Sequence, residues 1–481
     1  MILRRLYDDK LAQASYLVGC AATGEALVVD PNRDVEQYVE AARGQGLRVT
    51  HVTETHIHAD FVSGSRELAQ RTGARLLLSG EGGEDWRYAF AEEAGATLLR
   101  DGDSFRVGNV RVEVLHTPGH TPEHLAFVVT DTAGADRPMG VLSGDFVFVG
   151  DVGRPDLLER AARHEGTMEA GARTLFRSLQ RFKALLPDWV QLWPGHGAGS
   201  ACGKALGAVP QSTLGYEKLF NWGLAAADEE EFVREVLAGQ PEPPMYFAEM
   251  KRINRDGPPL LGGLRAPPPL PDSRLDGVLA EGAMVVDTRP RPEFARRHVP
   301  GTLGVPLGKS FPSWAGSVVP PGRRLYLVAD EAGAAEAARD LALIGLDGVE
   351  GRFGPEAVDA WAGEHGQAAG VADVTPEEME QRRLTGKVEL VDVRNSSEFE
   401  AGHLAGARNL PLGRLAERLG ELPHDRTLVV HCQSGARAGV AVSLLQASGF
   451  RDVLHLDGDF AGWKAAGRPV ETGRAASTAA L

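Results

Sequence analysis

The chain is 481 residues long, with 43% hydrophobic and 24% charged residues, so it exceeds one ordinary core and is not built around disorder. Its net charge of −15 repels phosphate backbones and acidic membrane surfaces, which sets nucleic-acid and membrane partners aside and favours a small-molecule substrate. Three scattered cysteines, Cys20, Cys202 and Cys432, argue against a disulfide framework. No run approaches the ~18 apolar residues of a membrane span, and the opening Met1-Ile-Leu-Arg-Arg does not read as a signal peptide. A cytoplasmic protein with reduced thiols is expected.

In chain order, residues 1–255 alternate short β-like runs (Ala26-Leu-Val-Val-Asp30, Arg75-Leu-Leu-Leu78, Val110 to Leu115, Leu125 to Val129) with helical patterns at Asp34 to Ala42 and Ser65 to Thr72. That pattern predicts mixed sheets with helices outside. Residues 256–272, Asp-Gly-Pro-Pro-Leu-Leu-Gly-Gly-Leu-Arg-Ala-Pro-Pro-Pro-Leu-Pro-Asp, are too rich in Pro and Gly for a regular helix or central strand and read as a linker. Beyond it, Val286-Asp287, Arg289, Glu293-Phe294, His298, Gly301 and Pro306-Leu307 recur as Val391-Asp392, Arg394, Glu398-Phe399, His403, Gly406 and Pro411-Leu412, at a constant offset of 105 residues from Val286 to Val391. Two homologous domains, 273–368 and 371–481, are therefore expected, each with the βαβ grammar of a parallel sheet.

The first 255 residues hold a constellation of potential ligands. His51-Val-Thr-Glu-Thr-His56-Ile-His58-Ala-Asp60 is a strand-like run in which alternate side chains, His56 and His58, face one point. Thr117-Pro-Gly-His120-Thr121-Pro, Ser143-Gly-Asp145 and Trp193-Pro-Gly-His196-Gly each set a His or Asp beside a turn at a strand end. Four such motifs in order point to convergence on a metal. Gly195-His-Gly-Ala-Gly-Ser-Ala-Cys202-Gly-Lys204 is glycine-rich but lacks the spacing of a nucleotide-binding loop.

Through these motifs residues 1–240 resemble the metallo-β-lactamase superfamily, which implies an αββα sandwich. Relatives with two metals, such as glyoxalase II, continue the first motif with a second-site histidine where this chain has Phe61, so a single ion is implied. Persulfide dioxygenases of the superfamily hold one Fe(II) on two histidines and a carboxylate. The resemblance carries that role to His56, His120 and Asp145, a face that leaves positions open for dioxygen and substrate, with His58, Asp60 and His196 around the ligands. Asp145-Phe-Val-Phe-Val-Gly-Asp-Val-Gly-Arg154 is similar to the dioxygenases' Gly-Arg segment, which makes Arg154, with Thr121 beside it, the candidate contact for the thiol carrier; the alternative is an ordinary salt bridge. Resemblance to bacterial fusions of persulfide dioxygenase with sulfurtransferase makes Cys202 a candidate sulfur relay, packing being the alternative. Cys20 reads as a packed residue or a second such thiol.

In the last domain, Leu428-Val-Val-His431-Cys432-Gln433-Ser434-Gly435-Ala436-Arg437 puts a thiol at a strand end, then a polar loop, then a helix. The loop amides and helix N-terminus favour a thiolate, and Arg437 adds a cation. Residues 371–470 resemble rhodanese sulfurtransferases. Cysteine phosphatases place five residues between Cys and Arg where this chain has four, Gln433 to Ala436, giving the smaller loop associated with sulfur. The middle repeat has no cysteine, so it reads as an inactive rhodanese-like domain, a spacer or a surface pairing subunits of a homo-oligomer.

Together these readings imply that a low-molecular-weight persulfide and dioxygen give sulfite and thiol, and that Cys432 passes sulfane sulfur to sulfite, giving thiosulfate. The alternatives are a zinc-dependent thioester hydrolase fused to a rhodanese and a sulfur-sensing module without turnover.

Overall fold

A computed structural model describes residues 1–157, 167–204, 206–240 and 242–473; the expected end of the last domain, 474–481, lies outside them. The chain divides into two units, Met1–Leu264 with Leu343–Gly345, and Arg265–Ala342 with Leu346–Leu481.

In the first unit, strands β1 (Ile2–Asp8), β2 (Gln13–Cys20), β3 (Glu25–Val29), β4 (Arg48–Thr53), β5 (Arg75–Ser79) and β6 (Thr97–Leu99) form one sheet in sequence order. Strands β7 (Ser104–Val107), β8 (Val110–His116), β9 (Leu125–Asp131), β10 (Gly140–Gly144), β11 (Gln191–Pro194) and β12 (Ser212–Thr213) form a second, in reverse order. Period-two alternation builds the layers. Ala14, Tyr16 and Val18 of β2 pack in one core with Phe127, Val129 and Trp193 of the second sheet. Leu17 between them packs with Val28, Tyr38 and Leu68, beneath helices Glu36–Arg43 and Ser65–Thr72. Across the second sheet, Ala126, Val128 and Val141 meet Leu175, Leu179 and Phe182 of helix Thr167–Leu185. The result is helix, sheet, sheet, helix, with polar turns at the strand ends on its rim.

Two parallel sheets make up the second unit. Strands β13 (Met284–Asp287), β14 (Leu303–Gly304), β15 (Leu325–Val328) and β16 (Val349–Phe353) lie in the order 14-13-15-16. Strands β17 (Ala372–Val374), β18 (Val388–Asp392), β19 (Arg408–Asn409), β20 (Thr427–His431) and β21 (Val453–Leu456) lie in the order 17-21-20-18-19. The sequence repeat is also a repeat of contacts. Asp287 binds the Arg289 guanidinium as Asp392 binds that of Arg394. His298 stacks on Phe294 at 4.0 Å as His403 stacks on Phe399 at 3.7 Å. Between the first unit's last helix, Tyr246–Asp256, and the turn Asp272–Arg274, the proline-rich stretch holds no helix or strand; its Leu261 and Gly263 amides donate to Glu67, and Pro269 forms an isolated bridge with Arg352. No helix among the described residues is long and apolar enough to cross a membrane.

Candidate metal centre and thiol site

The potential ligands of the first unit sit just past strand ends: His56, His58 and Asp60 after β4, His120 after β8, Asp145 after β10 and His196 after β11. Glycine permits the close approach. Gly144 has φ +51°, and a Cβ there would lie 2.6 Å from Thr55 Oγ1, while a Cβ on Gly195 would lie 2.6 Å from Asp145 Oδ1.

His56, His120 and Asp145 are all buried and offer ligand atoms within 4.8 Å of one another. Thr55 Oγ1 donates to Asp30 Oδ2 at 3.0 Å, so it accepts the N–H of His56 Nδ1, 3.0 Å away. His120 Nδ1 donates to the Arg154 carbonyl at 3.0 Å, and His196 Nδ1 to the Ala12 carbonyl at 2.9 Å. With each Nδ1 proton so fixed, the three Nε2 lone pairs face Asp145 Oδ2 at 3.9, 3.6 and 3.4 Å. Burial, then neighbouring imidazoles, hold the His56 ring well below its usual range; burial outweighs Asp145 in lowering His120, so both rings stay neutral. Neither Asp145 oxygen has a hydrogen-bond partner. Acceptors facing acceptors in a buried site leave room for one thing, a cation, so these residues fit a metal ion.

His58 is held differently. Its Nε2 lies 3.1 Å from Asp30 Oδ1 and its Nδ1 has no partner. Burial opposes its charge, but Asp30, with Asp60 and Glu54 beyond, raises it to about 9. Phe61 is fully buried with its ring 4.3 Å from that of His58. Asp60, whose oxygens have no hydrogen-bond partner though Oδ2 faces His196 Nε2 at 3.3 Å, forms a second group of ligand atoms with His196 and Cys202. Burial, then Asp60 and Asp145, push the Cys202 thiol well up.

The Arg154 guanidinium is completely buried, donating Nε and Nη2 to Asp156 at 2.8 and 2.7 Å and Nη1 to the Ala201 carbonyl at 2.9 Å. It therefore faces a carboxylate and the Cys202 loop, while its backbone carbonyl orients His120. The Thr121 hydroxyl is buried without a hydrogen-bond partner. Cys20 packs in the core between the sheets, its Sγ accepting from the Asn109 amide at 3.3 Å.

Two buried residues of this site escape sequence reasoning. Asp30, in the left-handed region at φ +52°, binds the Thr55 amide and hydroxyl and His58, and so sets the first histidine motif. His124 accepts the Asp145 amide proton at Nε2, 3.1 Å away, and its Nδ1 pairs with the Thr117 hydroxyl at 2.8 Å. An aspartate ending an apolar strand and a second histidine four residues after His120 were the available signals.

In the second unit, Cys432 follows β20 and is buried. Its Sγ accepts the Gly435 amide at 3.1 Å, and its own amide donates to Asp459 Oδ1 at 2.8 Å. Gly435, at φ +91°, makes the turn that aims its N–H back at the sulfur. Gln433 and Ser434 are exposed, and Ala436 opens the helix Ala436–Ala447. Arg437 lies near the thiol but is held by Glu398 at 2.6 and 2.8 Å, which compensates much of its charge.

The family described as Metallo-beta-lactamase superfamily matches residues 8–196, and the Rhodanese-like domain matches residues 375–466. The crystal structure of a metallo-beta-lactamase from Staphylococcus aureus subsp. aureus COL is 42% identical, with a TM-score of 0.68, over 73% of this chain and 99% of that one. A hydroxyacylglutathione hydrolase from Polaromonas sp. is 31% identical over 41% of this chain and 66% of its own length. The mitochondrial persulfide dioxygenase ETHE1 of Bos taurus is 28% identical over 41% of this chain and 68% of its own. The chain thus spans about two thirds of the length of these two curated relatives.

Proposed function

We propose that this chain, which belongs to the metallo-β-lactamase superfamily and carries a C-terminal rhodanese-like domain, is a persulfide dioxygenase joined to a sulfurtransferase. In this reading 1–255 is the dioxygenase domain, 256–272 the linker, 273–368 a rhodanese-like domain without its thiol and 371–481 the active rhodanese. The observation that carries the first half is the buried Asp145 carboxylate, unpartnered and faced by imidazole lone pairs, with Phe61 where two-metal relatives supply a further histidine. His56, His120 and Asp145 would hold one Fe(II), which supplies open coordination positions for dioxygen and a persulfide sulfur.

The chain's own residues then have defined tasks. Thr55 and the Arg154 carbonyl fix two of the imidazoles, and His124 fixes the Asp145 backbone. Phe61 and Phe148, both fully buried, exclude water on the side of His58 and His196. The buried Thr121 hydroxyl, beside the Glu123 carboxylate, is the hydrogen-bonding group assigned to substrate, while Arg154 acts by holding Asp156 and the loop that carries Cys202. Overall a persulfide RSSH, dioxygen and water give RSH and sulfurous acid; the terminal sulfur loses four electrons and dioxygen gains them. At the second site the Cys432 thiolate attacks a sulfane sulfur, the displaced group leaves with the bonding pair, and the Gly435 amide supports the resulting persulfide.

Oxygen uptake with glutathione persulfide on iron-loaded protein, alongside iron and zinc analysis of protein purified without added metal, tests this. Uptake matched by sulfite is expected; iron-loaded protein that consumes no oxygen sinks the oxygenase half. For the other half, Cys432→Ser should abolish sulfur transfer from thiosulfate to cyanide.

A second reading draws on one observation, the Asp60, His196 and Cys202 group beside the first. Filled together with the first group, it would suit a two-zinc thioester hydrolase. Two equivalents of zinc per chain in native protein, with hydrolysis of S-lactoylglutathione, would select that reading.

A further inference from the structure

Arg291 opens the helix Arg291–Arg296 of the middle repeat, at the register position where the last domain has Ser396. Its guanidinium reaches out of its own domain. Nη2 lies 3.1 and 3.3 Å from the two ring nitrogens of His455. His455 Nε2 meets Asp459 Oδ2 at 3.0 Å, and Asp459 Oδ1 accepts the amide of Cys432 at 2.8 Å. A Cβ on Gly435 would fall 2.3 Å from Arg291 Nη1, and one on Gly439 would fall 3.1 Å from its Cδ, so the arginine lies flat on the turn that wraps the thiol. Beneath it the seam closes on a cavity of about 10 Å³, no larger than a single water site, lined by Phe294, Pro306, Ala436 and Val440 among others.

Charge sets Arg291 apart from the other cations at this loop. Arg437 is paired with Glu398 and Arg394 with Asp392, whereas no carboxylate among the described residues forms an ion pair with Arg291. Asp459 stands at the same Gly435 turn, but its oxygens are taken by the Cys432 amide and His455, so a half-buried guanidinium with no direct ion pair, laid on a thiol loop, is a ready partner for an anion.

We propose that Arg291, supplied by the domain that has no thiol, gives the Cys432 site its selectivity for oxyanionic sulfur compounds such as thiosulfate and sulfite. The inference rests on the reading of Cys432 as the transferring thiol. The charge balance of that step explains the need. A Cys432 thiolate and thiosulfate bring three negative charges together; the new bond joins Sγ to the sulfane sulfur, the bond from that sulfur to the sulfonate breaks, and sulfite departs with the electron pair. No proton moves, so all three charges stay at the loop until sulfite leaves.

The experiment uses the full chain. Thiosulfate is titrated calorimetrically into Cys432→Ser protein, which cannot form the persulfide, with and without Arg291→Ala or Arg291→Lys. Arg291→Ala should weaken binding at least tenfold and Arg291→Lys should recover much of it. On the Cys432 background the loss should fall on KM for thiosulfate rather than on kcat, and KM for an uncharged sulfane donor, a dialkyl trisulfide, should not change. Equal thiosulfate affinity with and without Arg291, or an equal loss for the uncharged donor, overturns the proposal. Arg291-dependent binding in a protein that transfers no sulfur would support the anion site while removing the transferase reading.

Discussion

Thr55→Val removes one hydroxyl and keeps the shape, so it isolates what the Asp30–Thr55–His56 chain does. The hydroxyl is fully buried and spans Asp30 Oδ2 and His56 Nδ1, each at 3.0 Å. Valine would leave the Nδ1–H of His56 unpartnered and take one hydrogen bond from the Asp30 carboxylate, which keeps the Thr55 amide at 2.6 Å and His58 at 3.1 Å. An orphaned buried donor costs about 1–3 kcal/mol and a hydrogen bond to a charged group contributes about 1.5–3 kcal/mol, so with partial relaxation the metal-free protein should lose about 2–4 kcal/mol. Because the same hydroxyl fixes the His56 ring, metal affinity should fall by about 10–100-fold. Urea unfolding of metal-free protein reads the first effect and chelator competition with zinc as probe reads the second; Thr55→Ser, which keeps the hydroxyl, should recover most of both. Affinity within twofold of wild type, with stability reduced, would refute the assignment of His56 orientation to Thr55.

Two other sites give independent checks. Gly195→Ala would drive a Cβ to 2.6 Å from Asp145 Oδ1 and 3.2 Å from the Gly144 carbonyl carbon, so bound metal should fall below one-tenth of wild type on mass analysis while the far-ultraviolet spectrum is kept. His455 is pulled down by burial but raised more by Asp459 and Asp373, with Arg291 opposing, so its titration followed by NMR should be centred above the unperturbed ~6.5. The sign follows from that direction: its contribution to stability is complete below pH ~6.5 and is lost as pH rises through the folded-state value. Asp459→Asn should lower the midpoint, and an unmoved midpoint would refute the pairing.

What the sequence made legible tracks how local each signal is. His56, His120, Asp145 and His196 stand beside Gly or Pro turns at strand ends, and the two-sheet sandwich brings those ends to one rim, so residue type and local pattern sufficed. Asp30 has no motif of its own; its role arises because β3 and β4 are neighbours and its left-handed backbone turns the carboxylate under Thr55. His124 stands among the same motifs but acts on the backbone of Asp145, a residue 21 positions away. For Arg154 the Gly-Arg signal offers a carrier contact or an ordinary surface salt bridge; where the guanidinium lies is a tertiary fact, with Asp156, two residues on, binding it in the interior. Glu398 was legible as part of the repeat, but its pairing with Arg437 is tertiary and changes what charge that arginine offers the thiol.

The middle repeat shows why losing one reagent need not unfold a domain. Val328 ends β15 where His431 ends β20, so Ala329 takes the place of Cys432, and Asp330 beside it accepts the Gly333 amide at Oδ1, 2.7 Å away, over the same spacing of three residues as Cys432 Sγ to Gly435. A carboxylate here caps the helix Glu331–Leu343, so it stabilises the turn that a thiolate would otherwise organise. Asp330→Cys would supply a sulfur but not its setting: it would stand one residue beyond the register position of Cys432, Ala335, five residues on, carries no charge to match Arg437, Glu331 adds an exposed negative charge, and the cap is lost at a cost of about 0.5–2 kcal/mol. The double variant Asp330→Cys with Cys432→Ser should therefore show no thiosulfate to cyanide transfer above Cys432→Ser alone, and mass spectrometry after thiosulfate treatment should find no persulfide on the new thiol. Persulfide there at the Cys432 rate would mean that a strand-end thiol and one glycine amide are enough, and that neither Arg437 nor Arg291 has the role assigned to it.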